Sequence, residues 1–99
     1  MQPFERFKKL NTEGNLWIYI LLLGREEEVC NKDIRRLIFE KFGFLPNILL
    51  LKRVLYCLKR DEYIKIGKFK GERAYKTTEK GIKELEETKK FYHKLLQRV

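Results

Sequence analysis

Histidine, cysteine and proline are scarce in this chain of 99 residues, and acidic residues are outnumbered by basic ones; each imbalance narrows the range of functions. The single histidine, His93, stands among Lys89, Lys90 and Lys94 with no carboxylate or cysteine at ligand spacing, which argues against a metal centre or an acid-base pair built on it. The two cysteines, Cys30 and Cys57, are too far apart for a C-x-x-C metal or redox motif. With two prolines, no Pro/Gly/Ser-rich stretch and no repeat, nothing marks a linker, and residues 1–99 read as one domain. The longest apolar run, "LWIYILLL" from Leu16 to Leu23, is far below the roughly 20 residues of a membrane-spanning helix. The opening "MQPFERFKKL" mixes charge with aromatics and has no apolar stretch of the export type, so the protein is expected inside the cell. Against 14 Asp plus Glu stand 23 Lys plus Arg, a formal charge of +9 that suits a polyanion or an anionic membrane surface. Charged residues reach 37%, mostly Lys and Glu, the enrichment associated with hyperthermophile proteins.

What is present is helical spacing, interrupted once. Phe4, Phe7 and Leu10 after Pro3 predict a short amphipathic N-terminal helix. Leu16 to Leu23 is apolar on nearly every face, a buried central helix that Gly24 is placed to end. Asn31 is a candidate cap for a helix from Lys32 to about Phe42, with Ile34, Leu37, Ile38 and Phe42 on one side and Gly43 as its stop. From Pro46 or Asn47 to Arg60 a third helix turns Leu51, Val54, Leu55 and Leu58 inward and Lys52, Arg53, Tyr56, Lys59 and Arg60 outward. Strand formers around Tyr63 to Ile66 and Ala74 to Thr78 flank a basic, Gly-bounded tip, predicting a hairpin whose turn lies between Gly67 and Glu72. Thr78 can cap a last helix with an apolar stripe of Ile82, Leu85, Tyr92, Leu96 and Val99. Trp17, Tyr19, Phe39, Phe42 and Phe44 fall where a core would use them. Gly67 and Gly71 lack the strand and helix of a nucleotide loop, and Glu26 to Glu28 read as a solvated loop, so no catalytic cluster emerges.

This order gives a mainly α fold with a small β-hairpin wing at about 63–78 and a long C-terminal helix at about 79–98: the winged helix-turn-helix plan. "LYCLKRDEYIKI" followed by "RAYKTTEKGIKELEE" resembles the end of the recognition helix, the wing and the Y-x-L-T-x-K-G signature of PadR-like and MarR-like regulators, over roughly Leu16 to Glu87. The short chain, basic hairpin and Lys/Glu composition also resemble the small winged-helix proteins of hyperthermophilic archaeal viruses, such as those of Sulfolobus turreted icosahedral virus. The resemblance implies a homodimer on double-stranded DNA, in the host cytoplasm if viral, with one recognition helix per subunit in the major groove and the wing on the backbone or in the minor groove. It implies transcriptional regulation and no enzymatic activity, cofactor, membrane or small-molecule substrate.

The charges fit that implication. From Asn47 to Lys83 eleven basic residues face four acidic ones, so this segment holds a surplus of seven out of the chain's nine. In the third helix Asn47, Lys52, Arg53, Tyr56 and Lys59 are candidates to face DNA; Asn and Arg can pair with base edges, Lys and Tyr suit phosphates. Lys68, Lys70 and Arg73 at the hairpin tip have little to gain from core packing and are expected to contact phosphate or the minor groove. The start of that helix, "ILLL" from Ile48 to Leu51, is unusually apolar: either Leu49 or Leu50 touches thymine methyls or other protein covers the turn, with partial burial expected. The terminal stripe is expected to build the dimer, because an apolar stripe in water finds its match in a two-fold copy. Cys57, beside the core stripe, reads as a small buried hydrophobe; Cys30 is the candidate for an interchain disulfide, with free thiols the ordinary alternative. The other reading is a winged-helix protein-interaction module whose charge serves solubility alone.

Overall fold

The computed structural model describes residues 2–5 and 13–97, residue 13 by its backbone alone. Residues 3–5 are helical; the remainder of the expected N-terminal helix, with Phe7 and Leu10, lies outside the described residues. A short 3-10 turn at Glu13–Asn15 leads into α1 (Leu16–Leu23). Its Leu16, Ile20, Leu21 and Leu23 are buried and its other residues half-buried, as an all-apolar helix requires. Around it pack α2 (Ile34–Phe42), through Ile34 and Ile38, and α3 (Ile48–Arg60), through Leu51, Leu55 and Leu58.

The expected hairpin forms from β2 (Ile64–Phe69) and β3 (Glu72–Thr77), with Ile66 opposite Tyr75 and Phe69 opposite Glu72. That register leaves Lys70 and Gly71 as a two-residue turn, both at positive φ (53° and 81°), the mirror-image turn that follows the twist of a hairpin. A third strand, β1 (Val29–Cys30), lies antiparallel against β3, giving the order β1-β3-β2. Two residues carry no strand pattern of their own, and only the pairing with β3 creates it.

β1 also shifts the start of α2. The chain leaves Cys30 extended and makes a full 3-10 turn at Asn31–Asp33 before α geometry begins, so Asn31 lies inside a turn rather than ahead of the helix. Its Oδ1 caps nothing and is buried without a hydrogen-bond partner. The expected aromatic core is likewise only partly realised. Tyr19 packs edge-on against Phe42 and Phe44, 4.9 Å from each, but Phe39 is 57% exposed because α2 turns Ile34 and Ile38 inward, and Phe39 is one residue round from them.

α4 (Glu79–Gln97) is fixed to this body at its first turns. The residues that join it to the sheet explain the wording "AYKTTEKG". Tyr75 Oη donates to the Ile20 carbonyl at 2.6 Å and Thr77 Oγ1 to the Leu21 carbonyl at 2.8 Å. Both carbonyls belong to the last turn of α1: Ile20's also accepts from the Gly24 amide at 3.2 Å, whereas Leu21's has Thr77 as its donor in place of a further helical turn. Thr78 Oγ1 donates to the Glu62 carbonyl and accepts from the Gly81 amide at 3.2 Å, capping α4 as expected. Gly81 touches the sheet so closely that a β-carbon there would meet the Tyr63 carbonyl oxygen at 2.5 Å and Thr77 Cγ2 at 2.7 Å.

Candidate nucleic-acid interface

With Leu51, Leu55 and Leu58 turned inward, the opposite side of α3 presents Leu49, Arg53, Tyr56 and Arg60, flanked by Lys52 and Lys59. All six are exposed, so Lys52, Arg53, Tyr56 and Lys59 stand on the surface as the helical spacing requires. Asn47 has a structural task. Its Oδ1 accepts from the Leu49 and Leu50 amides at 2.9 and 3.1 Å, which caps α3 and takes up the carbonyl that a paired contact to adenine needs. Only its amide nitrogen is left for a partner. The "ILLL" turn divides as its helical positions dictate: Leu51 is in the core, Leu50 half-buried, Ile48 exposed, and Leu49 74% exposed.

Away from the outward face of α3 and the wing, half of the described cations are engaged, while Arg25, Lys41, Lys83, Lys89 and Lys94 are not. Arg36 bonds Glu40 at 3.1 Å and Asp33 at 3.4 Å, contacts that raise its already high pKa, with Glu40 contributing most. Arg35 Nε donates to the Pro46 carbonyl at 2.9 Å, Lys32 lies 3.5 Å from Glu72, and Lys80 donates to the Asp61 carbonyl while covering the Tyr63 ring. On α3 and the wing, Lys52, Arg53, Lys59, Lys65, Lys68 and Arg73 make no ion pair or side-chain hydrogen bond with any described residue, and here they are neighbours on one helix and one hairpin. Arg60 is an exception on α3, paired with Asp61 at 3.2 Å, and Lys70 lies over its neighbour Phe69 at 5.3 Å from the ring centre.

The hairpin register sharpens this. Lys65 faces Lys76 and Lys68 faces Arg73 directly across the strands. Like charges in such pairs oppose sheet pairing unless something outside the chain neutralises them. Lys76 is partly relieved by donating to the Arg25 carbonyl at 3.2 Å; the Lys68 and Arg73 pair is not. Lys65 was absent from the sequence-derived candidates because its position opposite another lysine depends on the register. It lines a surface groove with Lys59 of α3 and Lys80, where Glu62 and Glu79 also stand, so this groove is of mixed charge.

The terminal stripe is divided. Leu85 belongs to the chain's own core, while Ile82 and Tyr92 line a groove with Ile18 and Leu22 of α1. Further along, Leu96 is 73% exposed, beside exposed Phe91 and Leu95. Val99 lies outside the described residues. Cys30 and Cys57 are half-buried free thiols, and His93 is exposed with its Nε2 3.1 Å from Gln97 Nε2. Among the described residues no three His, Cys, Asp or Glu side chains are grouped to hold a metal ion, and no helix is long and apolar enough to cross a membrane.

No family model matches the chain, and no curated protein matches its sequence. Solved structures do. A PadR-like transcription factor from Bacteroides fragilis superimposes with a TM-score of 0.75 at 23% identity, over 94% of each chain. F93 of Sulfolobus turreted icosahedral virus, described as a winged-helix DNA-binding protein, gives 0.72 at 24% identity over 85% of this chain and 92% of that one. A PadR family transcriptional regulator from Eggerthella lenta gives 0.71 at 16% identity, over 98% of this chain and 88% of its own. Helix order, wing and long last helix, together with these superpositions, make the chain a winged-helix protein.

Proposed function

We propose that the chain is a homodimeric double-stranded DNA-binding protein, a transcriptional regulator that lays α3 in the major groove and the wing on the backbone or in the minor groove. The observation that carries this is the grouping of Lys52, Arg53, Lys59, Lys65, Lys68 and Arg73 on one helix face and the adjoining hairpin without a described partner, with Lys68 set directly opposite Arg73. Two facing cations at an exposed hairpin tip work against folding, a cost that phosphates of a nucleic-acid backbone lying over the tip would offset. That the similar structures are described as transcription factors or as DNA-binding supports the reading. A protein with this role works beside DNA inside the cell, the host cell if it is viral.

A titration of duplex DNA at several salt concentrations tests it. If a dimer neutralises roughly 6 to 10 phosphates, log affinity falls against log salt with a slope of about −5 to −9. Absence of binding at low salt sinks the proposal. It would favour the protein-interaction reading, for which the exposed apolar surface of Phe39, Leu45 and Ile48 is the supporting observation.

In this reading the dimer forms through α4, with Ile82, Tyr92, Leu96 and Val99 of the stripe meeting a second copy, while Leu85 backs them from the chain's own core. Sedimentation then gives twice the 12.1 kDa chain mass, and Leu96→Glu returns monomer. An interchain Cys30 to Cys30 bridge is a separate part of the proposal. A non-reducing gel of thiol-blocked protein checks it by a doubled band that disappears in Cys30→Ser. The Lys/Glu-rich composition supports an origin in a hyperthermophile or its virus, for which the matching measurement is an unfolding midpoint above about 90 °C.

A further inference from the structure

An exposed leucine at the head of a recognition helix is the feature that a purely electrostatic account leaves unused. Leu49 is 74% exposed, yet it stands one turn before Arg53 on the outward face of α3. It is not part of the apolar groove between α2 and α3, which Phe39, Leu45, Ile48 and Leu51 line, so it is not the edge of that surface. The first turn also has little to offer a phosphate. The Leu49 and Leu50 amides, which would otherwise point at an anion, are already bound to Asn47 Oδ1. What this turn presents to a groove is a branched hydrocarbon. In the major groove the apolar group among the base edges is the C5-methyl of thymine.

Resting on the DNA-binding reading, we infer that Leu49 is a specificity-determining residue that packs against a thymine methyl group, while Arg53 works at a neighbouring position. Four residues of α-helix rise about 6 Å, and base pairs are stacked about 3.4 Å apart. With α3 running along the groove, the methyl that Leu49 touches is therefore about two base-pair steps from the edge or phosphate that Arg53 reaches. The protein favours sites with thymine at that position through contact, with no hydrogen bond from the residue itself.

The test uses the full chain and a duplex selected by it from a random pool, against the same duplex with deoxyuridine replacing thymine one position at a time, a change that removes only the methyl. One replacement per half-site weakens binding about fourfold, the effect of withdrawing one buried methyl group. Leu49→Ala weakens binding to the thymine duplex to a similar extent and no longer distinguishes the two duplexes, whereas Leu49→Met and Arg53→Ala still do. Wild-type protein that binds all uracil-substituted duplexes equally well, or a Leu49→Ala chain that still senses the methyl, overturns the inference and leaves the DNA-binding reading standing. Unchanged DNA affinity in Leu49→Ala with an altered sedimentation mass marks Leu49 as a protein contact and also overturns it. No binding of any duplex at low salt overturns both.

Discussion

The base and the tip of the wing are built from the same two strands under opposite rules. At the base, Tyr75, Thr77 and Thr78 commit every hydroxyl to a backbone carbonyl of another element, and Gly81 gives up its side chain to let α4 approach. At the tip, Lys68 and Arg73 face each other with no described partner. The base is arranged for stability at the expense of freedom to change; the tip keeps charge in water where it adds nothing to the fold. One hairpin thus divides structure from recognition within a few residues.

The comparison breaks most visibly at the tip. Replacing Lys68, Lys70 and Arg73 together with alanine should weaken DNA binding about five-hundredfold near 0.1 M salt for each wing engaged and reduce the salt slope by about 3 per wing, since each phosphate contact is worth roughly a factor of eight there. The same variant should unfold within about 0.5 kcal/mol of the parent, because exposed charges contribute little. Intact affinity would remove the wing from the interface. At the base, Gly81→Ala reverses the usual rule that alanine favours helices by about 1 kcal/mol. The new β-carbon meets the Tyr63 carbonyl, so the net loss should be about 2 kcal/mol, a drop of roughly 8 to 16 °C in Tm by circular dichroism.

Smaller effects separate the two hydroxyl ties. Thr77→Val keeps the shape and withdraws the donor from the buried Leu21 carbonyl, and should cost about 1 to 2 kcal/mol in urea unfolding. Tyr75→Phe should cost less, under about 1 kcal/mol, since the Ile20 carbonyl keeps the Gly24 amide at 3.2 Å. Tyr75 has an alkaline signature as well. Burial holds its phenol well above the ordinary 10.0, so on raising the pH the unfolded chain loses this proton first. Its contribution is therefore complete below pH 10 and declines above it, and Tyr75→Phe should show a shallower loss of stability between pH 10 and 11.5.

The helices were legible because their apolar residues recur with the helical period and their ends are marked: Gly43 after α2, Asn47 before α3, Thr78 before α4. What sequence could not supply depends on partners distant along the chain. β1 exists only beside β3, and by extending the backbone through Cys30 it displaces the cap expected at Asn31. Phe39 looked like core by its chemistry and lies outside by its angle on α2. The site shows the same division. The excess of lysine and arginine on one segment could be counted, but Lys76 and Lys80 are taken up by carbonyls while Lys65 is not, and only the folded arrangement of sheet, turn and α4 separates them.

The bond from Tyr75 to Ile20 spans 55 residues, and that from Thr77 to Leu21 spans 56. A ribosome adding roughly 5 to 20 residues per second takes about 3 to 11 seconds to make the intervening chain. Through that interval α1, the most apolar segment of the protein, has been synthesised without the strand that closes its end. The newborn chain is therefore most prone to clumping before its wing is complete, and a cell producing it in quantity must shelter one short helix until residue 77 has emerged.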